Sequence, residues 1–271
     1  FTQSFVIPYL LPMLERAGAN VLMPRERSMR CEEVIIDNDA GIDAALYREH
    51  SRKNEWQQGG SGFAHLQRRY ASRHNPFEDG TTRYVEACDK PSRVSSASWG
   101  GEIPVSGVYS VYVSYSTHPR SITDAHYTVH ASGGDREFSV NQRMGGGMWV
   151  CLGDFYFDAG YHDKLVSLDN LSKYSGVVTA DAVKIGGGMG NIYRGDEEQT
   201  SDMPRFVEGS RYWLQWSGFS TDVYEGKGGN DDYTEDYMSR PHWVNDLMGG
   251  TEHNPDVEGR NIPVDLAFAL H

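Results

Sequence analysis

Ten histidines raise the first question about chemistry, because a neutral imidazole is a common metal ligand. His126 and His130 stand four apart. On a helix that spacing turns both rings toward one ion. On a strand, which the neighbouring residues favour, four residues span roughly 13 Å and the rings cannot share a metal. Both therefore read as surface residues. His50, His65 and His74 lie in a polar, irregular stretch without ligand spacing. His271 differs. It ends the apolar run Ile262-Pro263-Val264-Asp265-Leu266-Ala267-Phe268-Ala269-Leu270, which reads as a central parallel strand. Open α/β sheets carry functional groups at that end of their strands, so His271 is the candidate metal ligand.

The other candidates have plainer readings. Gly186-Gly187-Gly188-Met189-Gly190-Asn191 follows a strand-like run, but the dinucleotide spacing fails at Asn191 and no Lys-Ser/Thr pair follows. It reads as a flexible exit from the preceding segment. Arg194-Gly195-Asp196 spells an adhesion tripeptide, a match short enough to arise by chance. Trp99, Trp149, Tyr109, Tyr112 and Tyr115 can form a sugar-stacking platform, yet aromatics on alternating strands usually belong to a core. The carboxylate pairs Glu32-Glu33 and Asp231-Asp232 point apart and read as solvated.

Composition limits the function classes. The formal net charge is -13, which repels phosphate backbones and argues against nucleic acid as a partner. No 18-residue apolar stretch is long enough for a membrane span. Three widely spaced cysteines, Cys31, Cys88 and Cys151, fit neither a disulfide framework nor a C-x-x-C metal site. Thirty glycines with 16 tyrosines and 6 tryptophans point to tight turns between aromatic-rich strands.

The elements that must position these residues fall into three segments. In residues 1–30, Phe5, Val6, Tyr9, Leu10, Met13 and Leu14 recur at helical spacing, Pro8 and Pro12 predict a kink, and Gly18 terminates. Ala19 to Met23 reads as a short buried strand. Residues 31–95 are polar and irregular, with short helices expected at Ile42 to Glu49 and Phe63 to Tyr70. In residues 96–188 the period changes to two: Tyr109, Val111, Val113 and Tyr115 alternate with Ser110, Tyr112 and Ser114. Tyr127 and Val129, then Ser132-Gly133-Gly134-Asp135, then Phe138 and Val140 predict a hairpin. Further strands are expected at Met148 to Phe157, Lys164 to Leu168 and Val177 to Ile185, giving a sandwich or jelly roll. Residues 189–271 return to helix and strand, with helices from Pro204 to Trp216 and from Asp236 to Leu247. An α/β domain interrupted by an all-β block is the simplest account.

Two resemblances sharpen this organisation. The run from Leu10 to Arg25, with Leu14-Glu15-Arg16-Ala17-Gly18 and Val21-Leu22-Met23-Pro24-Arg25, resembles the helix–strand unit of zinc N-acetylmuramoyl-L-alanine amidases, with Pro24 where their pattern has Thr. The helix after Pro204 and the strand Val264 to His271 are similar to that family's later helix and its "Phe-x-Ser-x-His" strand end. The resemblance implies that His271 ligates Zn2+, and that a second histidine and two glutamates of the site lie outside this chain. Gly107 to Val113, Asp124 to His130, Val140-Asn141-Gln142, Gly153-Asp154-Phe155 and Thr179 to Val183 resemble the golvesin C-terminal-like domain, which also occurs in xanthan-lyase-like proteins. Bacteroidales proteins combine the two. The combination implies residues 1–95 as the first part of an amidase-like α/β domain with an irregular insertion, 96–188 as a golvesin-like β-sandwich, and 189–271 as the second part of the α/β domain. It also implies a secreted, periplasmic or cell-surface protein that cleaves the amide of peptidoglycan. The competing reading is a non-catalytic protein that binds a cell-surface glycan.

Overall fold

The structure is a computed structural model that describes every residue except 40, 43–45, 196–197, 251–254, 257 and 271. Twelve strands are present among the described residues: β1 (Glu33–Ile36), β2 (Leu46–His50), β3 (Gln57–Gly62), β4 (Gly80–Glu86), β5 (Ser96–Ile103), β6 (Gly107–Val113), β7 (Ala125–Ala131), β8 (Gly134–Val140), β9 (Val150–Phe157), β10 (Gly160–Asp169), β11 (Val177–Ala180) and β12 (Val183–Gly186). They make a front sheet in the order β1-β12-β6-β9, a back sheet β2-β5-β10-β7-β8, and a third sheet β11-β4-β3.

The period-2 pattern does what it predicts. Tyr109, Val111 and Val113 of β6 turn inward to meet Trp99 of β5, Tyr127 and Val129 of β7, and Val166 and Leu168 of β10, all buried in one core between the front and back sheets. Val85, Val178 and Ala180 bring the third sheet onto the same core. Two buried sheet faces with alternating side chains define a β-sandwich. The predicted hairpin forms with Ala131 opposite Gly134. Gly134 takes φ +106°, a backbone conformation open to glycine in this tight turn.

Residues 31–95 carry four strands that the sequence left unresolved. β1 pairs with β12, β2 with β5, and β4 with β11, so the boundary drawn at residue 95 does not separate sheets. The short helices expected there are absent from the described residues: 46–50 is strand, and 63–69 is irregular chain. The single strand expected from Val177 to Ile185 is two, because the chain leaves the third sheet at Asp181 and Ala182 to enter the front one.

The flanks are helical. A wide π-type turn over Thr2–Leu10 contains Pro8 and runs into α1 (Leu11–Arg16), which Gly18 stops at φ +92°. Pro8 lies inside the wide turn and Pro12 at the start of α1, where a missing backbone N–H costs least. After the sandwich come α2 (Ser210–Trp216), α3 (Thr221–Tyr224) and α4 (Asp232–Met248), whose Asp231 cap accepts from the Tyr233 and Thr234 amides. The strands expected at 19–23 and 262–270 are not formed: both stretches are irregular chain without sheet partners. An α/β layer needs parallel neighbours for such strands, and the described residues supply none. No helix among them is long and apolar enough to cross a membrane.

Candidate functional site

Three groups of polar side chains converge, two sealed inside the protein and one open. The first lies on the outer side of the front sheet. Val183 and Ile185 of β12 face the core, so Lys184 between them must point the other way, where residues 20–30 and α2 cover it completely. Its Nζ donates to Glu26 Oε2 at 2.8 Å and to the Gly186 carbonyl at 2.7 Å, and sits 3.8 Å from the centre of the Tyr112 ring. Glu26 Oε1 also accepts from the Tyr112 hydroxyl at 2.6 Å and the Ser28 amide at 2.9 Å. Burial lowers the Lys184 pKa, with Glu26 acting against it, and raises the Tyr112 hydroxyl well above its usual value. Beside this centre the Cys151 thiol is pushed up to about 12 by burial, which makes it inert as a nucleophile. A void of about 30 Å³ opens among Arg27, Tyr112, Trp149, Cys151, Trp213 and Ser217. That is room for about one water and none for a sugar ring.

The second group forms where the chain changes sheets. Asp181 Oδ2 accepts from the Phe63 amide at 3.2 Å and the Ser114 hydroxyl at 2.8 Å, while its Oδ1 has no hydrogen-bond partner among the described residues. Asp37 accepts from the Asp39 amide at 3.1 Å and the His65 amide at 3.0 Å. Burial raises the Asp37 carboxyl to about 7, and burial together with the Asp37 charge pushes Asp181 well above the ordinary range. Both carboxyls are inaccessible to a substrate.

The third group is partly exposed. β4 sends Val85 inward, and Tyr84 beside it points out from the third sheet. The Tyr84 ring stacks on His118 with centroids 6.2 Å apart and planes 15° from parallel, and its hydroxyl donates to Gln57 Oε1 at 2.6 Å. On the opposite face of β4, the face of Val85, Arg83 holds Glu49 in a two-pronged ion pair at 2.6 and 2.9 Å and reaches Gln58 Oε1 at 3.3 Å. Arg120 grips Glu86 at the end of β4 in the same way. Paired side chains hold these planar donors and acceptors in place before any ligand arrives. An aromatic ring ringed by fixed hydrogen-bonding groups suits a polar ligand with an apolar face, which describes a pyranose.

The residues singled out by sequence fall elsewhere. His126 and His130 point from β7 to the outer side of the back sheet, where His126 meets Asp169 at 2.7 Å and His130 meets Asp135 at 2.9 Å. They have separate partners, as the strand spacing requires. His74 is bound between Gln67 and Asp79. Trp99, Trp149, Tyr109, Tyr112 and Tyr115 are all buried, so the core reading holds and the stacking platform does not. Glu33 is no solvated residue but accepts from Arg205, and Asp232 accepts from Arg211 and the Tyr212 hydroxyl. The glycines after β12 are buried rather than a flexible exit. A Cβ at Gly187 would meet the Ser28 and Arg30 carbonyls, and one at Gly190 would meet the Glu208 carboxylate. Asp196 of the adhesion tripeptide and His271 lie outside the described residues. Cys31, Cys88 and Cys151 are free thiols. No three His, Cys, Asp or Glu side chains among the described residues are placed to hold a metal ion, so these residues alone do not fit a zinc centre. Sequence reasoning missed Tyr84, His118, Arg83 and Gln57. The alternation of Thr82, Tyr84 and Glu86 with Arg83 and Val85 was the available signal, within a stretch left as irregular.

Residues 70–187, which take in β4 to β12, match the golvesin C-terminal domain family. The chain is 36% identical over 91 residues to a xanthan lyase of Bacillus sp. (strain GL1), a match covering 33% of this chain and 10% of that protein. It therefore spans about a tenth of that relative's length. Among solved structures, it is similar to a Paenibacillus xanthan lyase at 26% identity and TM-score 0.41, covering 58% of this chain and 13% of that one. It is also similar to the C-terminal CBM6 of the marine laminarinase LamC from Zobellia galactanivorans at 15% identity and TM-score 0.34, covering 57% and 99%.

Proposed function

We propose that this β-sandwich is a glycan-binding module of a larger extracellular protein, secreted, periplasmic or held at the cell surface, and that the third sheet is its contact face. The observation that carries the reading is the partly exposed Tyr84 ring, stacked on His118 and flanked on the same face of the sheet by Gln57 and by the Arg120–Glu86 pair. The two other polar groups are sealed, so this is the one of the three that a polymer can reach. The identity shared with a xanthan lyase, a protein named for acting on a polysaccharide, supports a carbohydrate partner. The acidic charge of -13 disfavours nucleic acid. Peptidoglycan or another cell-surface glycan is the partner we expect.

The reading is tested by affinity electrophoresis and calorimetry against insoluble peptidoglycan, xanthan and neutral glucans, with Tyr84→Ala beside the wild type. Loss of one stacking ring and its hydroxyl is expected to weaken binding about tenfold, the equivalent of about 1.4 kcal/mol, with little change in melting temperature. Unchanged binding by the variant rules out this face.

A second reading concerns the flanks. Leu266, Phe268 and Leu270 are 68%, 65% and 45% exposed, and Phe1 and Tyr9 are 75% and 61% exposed. Apolar side chains this open are usual where a segment packs against something else. That favours the flanks as pieces of an α/β layer in a longer protein, the amidase-like arrangement in which His271 is a Zn2+ ligand. There the activity is zinc-dependent hydrolysis of the N-acetylmuramoyl-L-alanine amide. Zinc content and muropeptide release by the full-length protein, with and without His271→Ala, test it. A metal-free or inactive full-length protein leaves the glycan-binding reading standing alone.

A further inference from the structure

The end of the third sheet where Gln57 and Tyr84 face each other leads into a second feature. The chain entering β3 and the chain leaving β4 form a shallow, wide-open groove lined by Arg52, Lys53, Ser92 and Arg93. Its backbone is fixed from beneath. The buried Ser95 hydroxyl accepts from the Arg52 amide at 2.9 Å and donates to the Asn54 carbonyl at 2.5 Å. The Lys53 amide donates to the Arg93 carbonyl at 3.3 Å, and the Ser95 amide donates to buried Asn170 Oδ1 at 2.8 Å. Two turns are thus tied together by groups with no exposure of their own, and three cations are presented along their rim.

What sets these exposed cations apart is that they line one depression together. The chain carries 25 Lys and Arg against 38 Asp and Glu. The partly buried arginines all find carboxylates: Arg27 with Glu15, Arg83 with Glu49, Arg205 with Glu33, Arg211 with Glu225, and Arg260 with Asp246. Arg52, Lys53 and Arg93 have no ion pair with any described residue, although Glu55 and Asp89 are close in sequence. In so acidic a chain, three unpaired positive charges around one concavity concentrate a local field that selects anions against the net charge. Guanidinium groups add two-pronged geometry for a carboxylate or sulfate.

We propose that this groove binds the anionic group of an acidic polysaccharide whose chain continues over the third sheet, so that the glycan read by Tyr84 carries carboxylate or sulfate substituents. The inference rests on the glycan-binding reading and narrows its substrate class. The probes are polygalacturonate, its fully methyl-esterified form, dextran sulfate and neutral dextran, tested with this chain at 50 and 300 mM NaCl. Wild type is expected to bind polygalacturonate at least tenfold more tightly than the methyl ester, with the preference largely lost at 300 mM NaCl. Arg52→Ala/Lys53→Ala/Arg93→Ala is expected to abolish the preference at an unchanged melting temperature. Arg52→Lys/Arg93→Lys, which keeps the charge, is expected to retain most of it. Tighter binding of dextran sulfate, lost in the same triple variant, assigns sulfate as the group. Equal binding of polygalacturonate by wild type and triple variant, or equal binding of acid and ester, overturns the inference and leaves glycan binding intact. Retention of no glycan at all overturns both.

Discussion

Two sealed polar sites within one sandwich behave in opposite ways. At Lys184 and Glu26 the charges are opposite, every oxygen of the carboxylate is met, and an aromatic ring covers the ammonium. At Asp37 and Asp181 the charges are alike, and one oxygen of Asp181 is met by nothing among the described residues. Both sites are almost wholly removed from water. The first offsets its desolvation by pairing opposite charges and bonding both carboxylate oxygens. The second resolves it by retaining protons, because two adjacent carboxylates in a medium of low polarity cannot both ionise cheaply. Burial alone therefore does not say whether a polar group pins a fold or makes it sensitive to pH; the sign of the nearest charge does.

The largest effect that can break this contrast is at the paired site. Lys184→Met leaves Glu26 buried against Tyr112 without its cation, and is expected to lower stability by about 3–5 kcal/mol in urea denaturation. The double variant Lys184→Met/Glu26→Gln removes both charges and is expected to recover most of that loss. If the single variant is as stable as wild type, the pair does not hold its two elements together.

The like-charged site is expected to respond to pH instead. An unfolded aspartate titrates near pH 3.9, whereas Asp37 in the fold keeps its proton to about 7. Between those values the folded state binds more protons than the unfolded one, so stability falls as pH rises. The contribution is fully present below about pH 4, is lost through about pH 7, and is flat above it. Asp181→Asn removes a second carboxyl of raised pKa. Its amide oxygen can keep the bonds from Phe63 and Ser114 while the NH2 takes the unpartnered position. The variant is therefore expected to gain several degrees in melting temperature over wild type as pH rises from 4 to 8. A constant difference across that range counts against proton retention at this site.

The same contrast explains what could be read from sequence. Strands β6 and β7 were legible because apolar side chains alternate with smaller or polar ones along them, which writes a period of two into Tyr109–Tyr115 and Tyr127–Val129, even though both faces of β6 are buried from Tyr109 to Val113. β3 was not, because Gln57-Gln58-Gly59-Gly60-Ser61-Gly62 is an edge strand held by backbone bonds to β4, with almost no side chain to bury. Gly59 and Gly62 are there because Thr82 and its neighbours leave no room for a Cβ. The break at Asp181 was invisible because Val177 to Ile185 is apolar on both sides of it, and both pieces are buried. Sealed polar sites depend on pairs such as Glu26 with Lys184, 158 residues apart, which no local pattern records. The contact face failed for the opposite reason: Tyr84 and His118 belong to segments that meet only in the folded sheet.

The smallest expected effect supplies the control in which water is present. Asp231 precedes α4 and accepts from the Tyr233 and Thr234 amides at 3.1 Å each and from the Thr234 hydroxyl at 2.7 Å. Those bonds from the Thr234 side chain and amide lower its pKa, the reverse of the shift at Asp37. Lowering means that its contribution is present above the unfolded value near 3.9 and is lost as pH falls through the folded value. Solvent screens the group, so Asp231→Ala is expected to lower the melting temperature only slightly at pH 7, through loss of the cap. The difference from wild type should shrink as pH falls through the folded value, while Asp231→Asn, which keeps an accepting oxygen but no charge, should lie between the two at pH 7 and approach wild type at low pH. A loss for Asp231→Ala as large as that for Lys184→Met would mean that exposure does not set the scale of these effects.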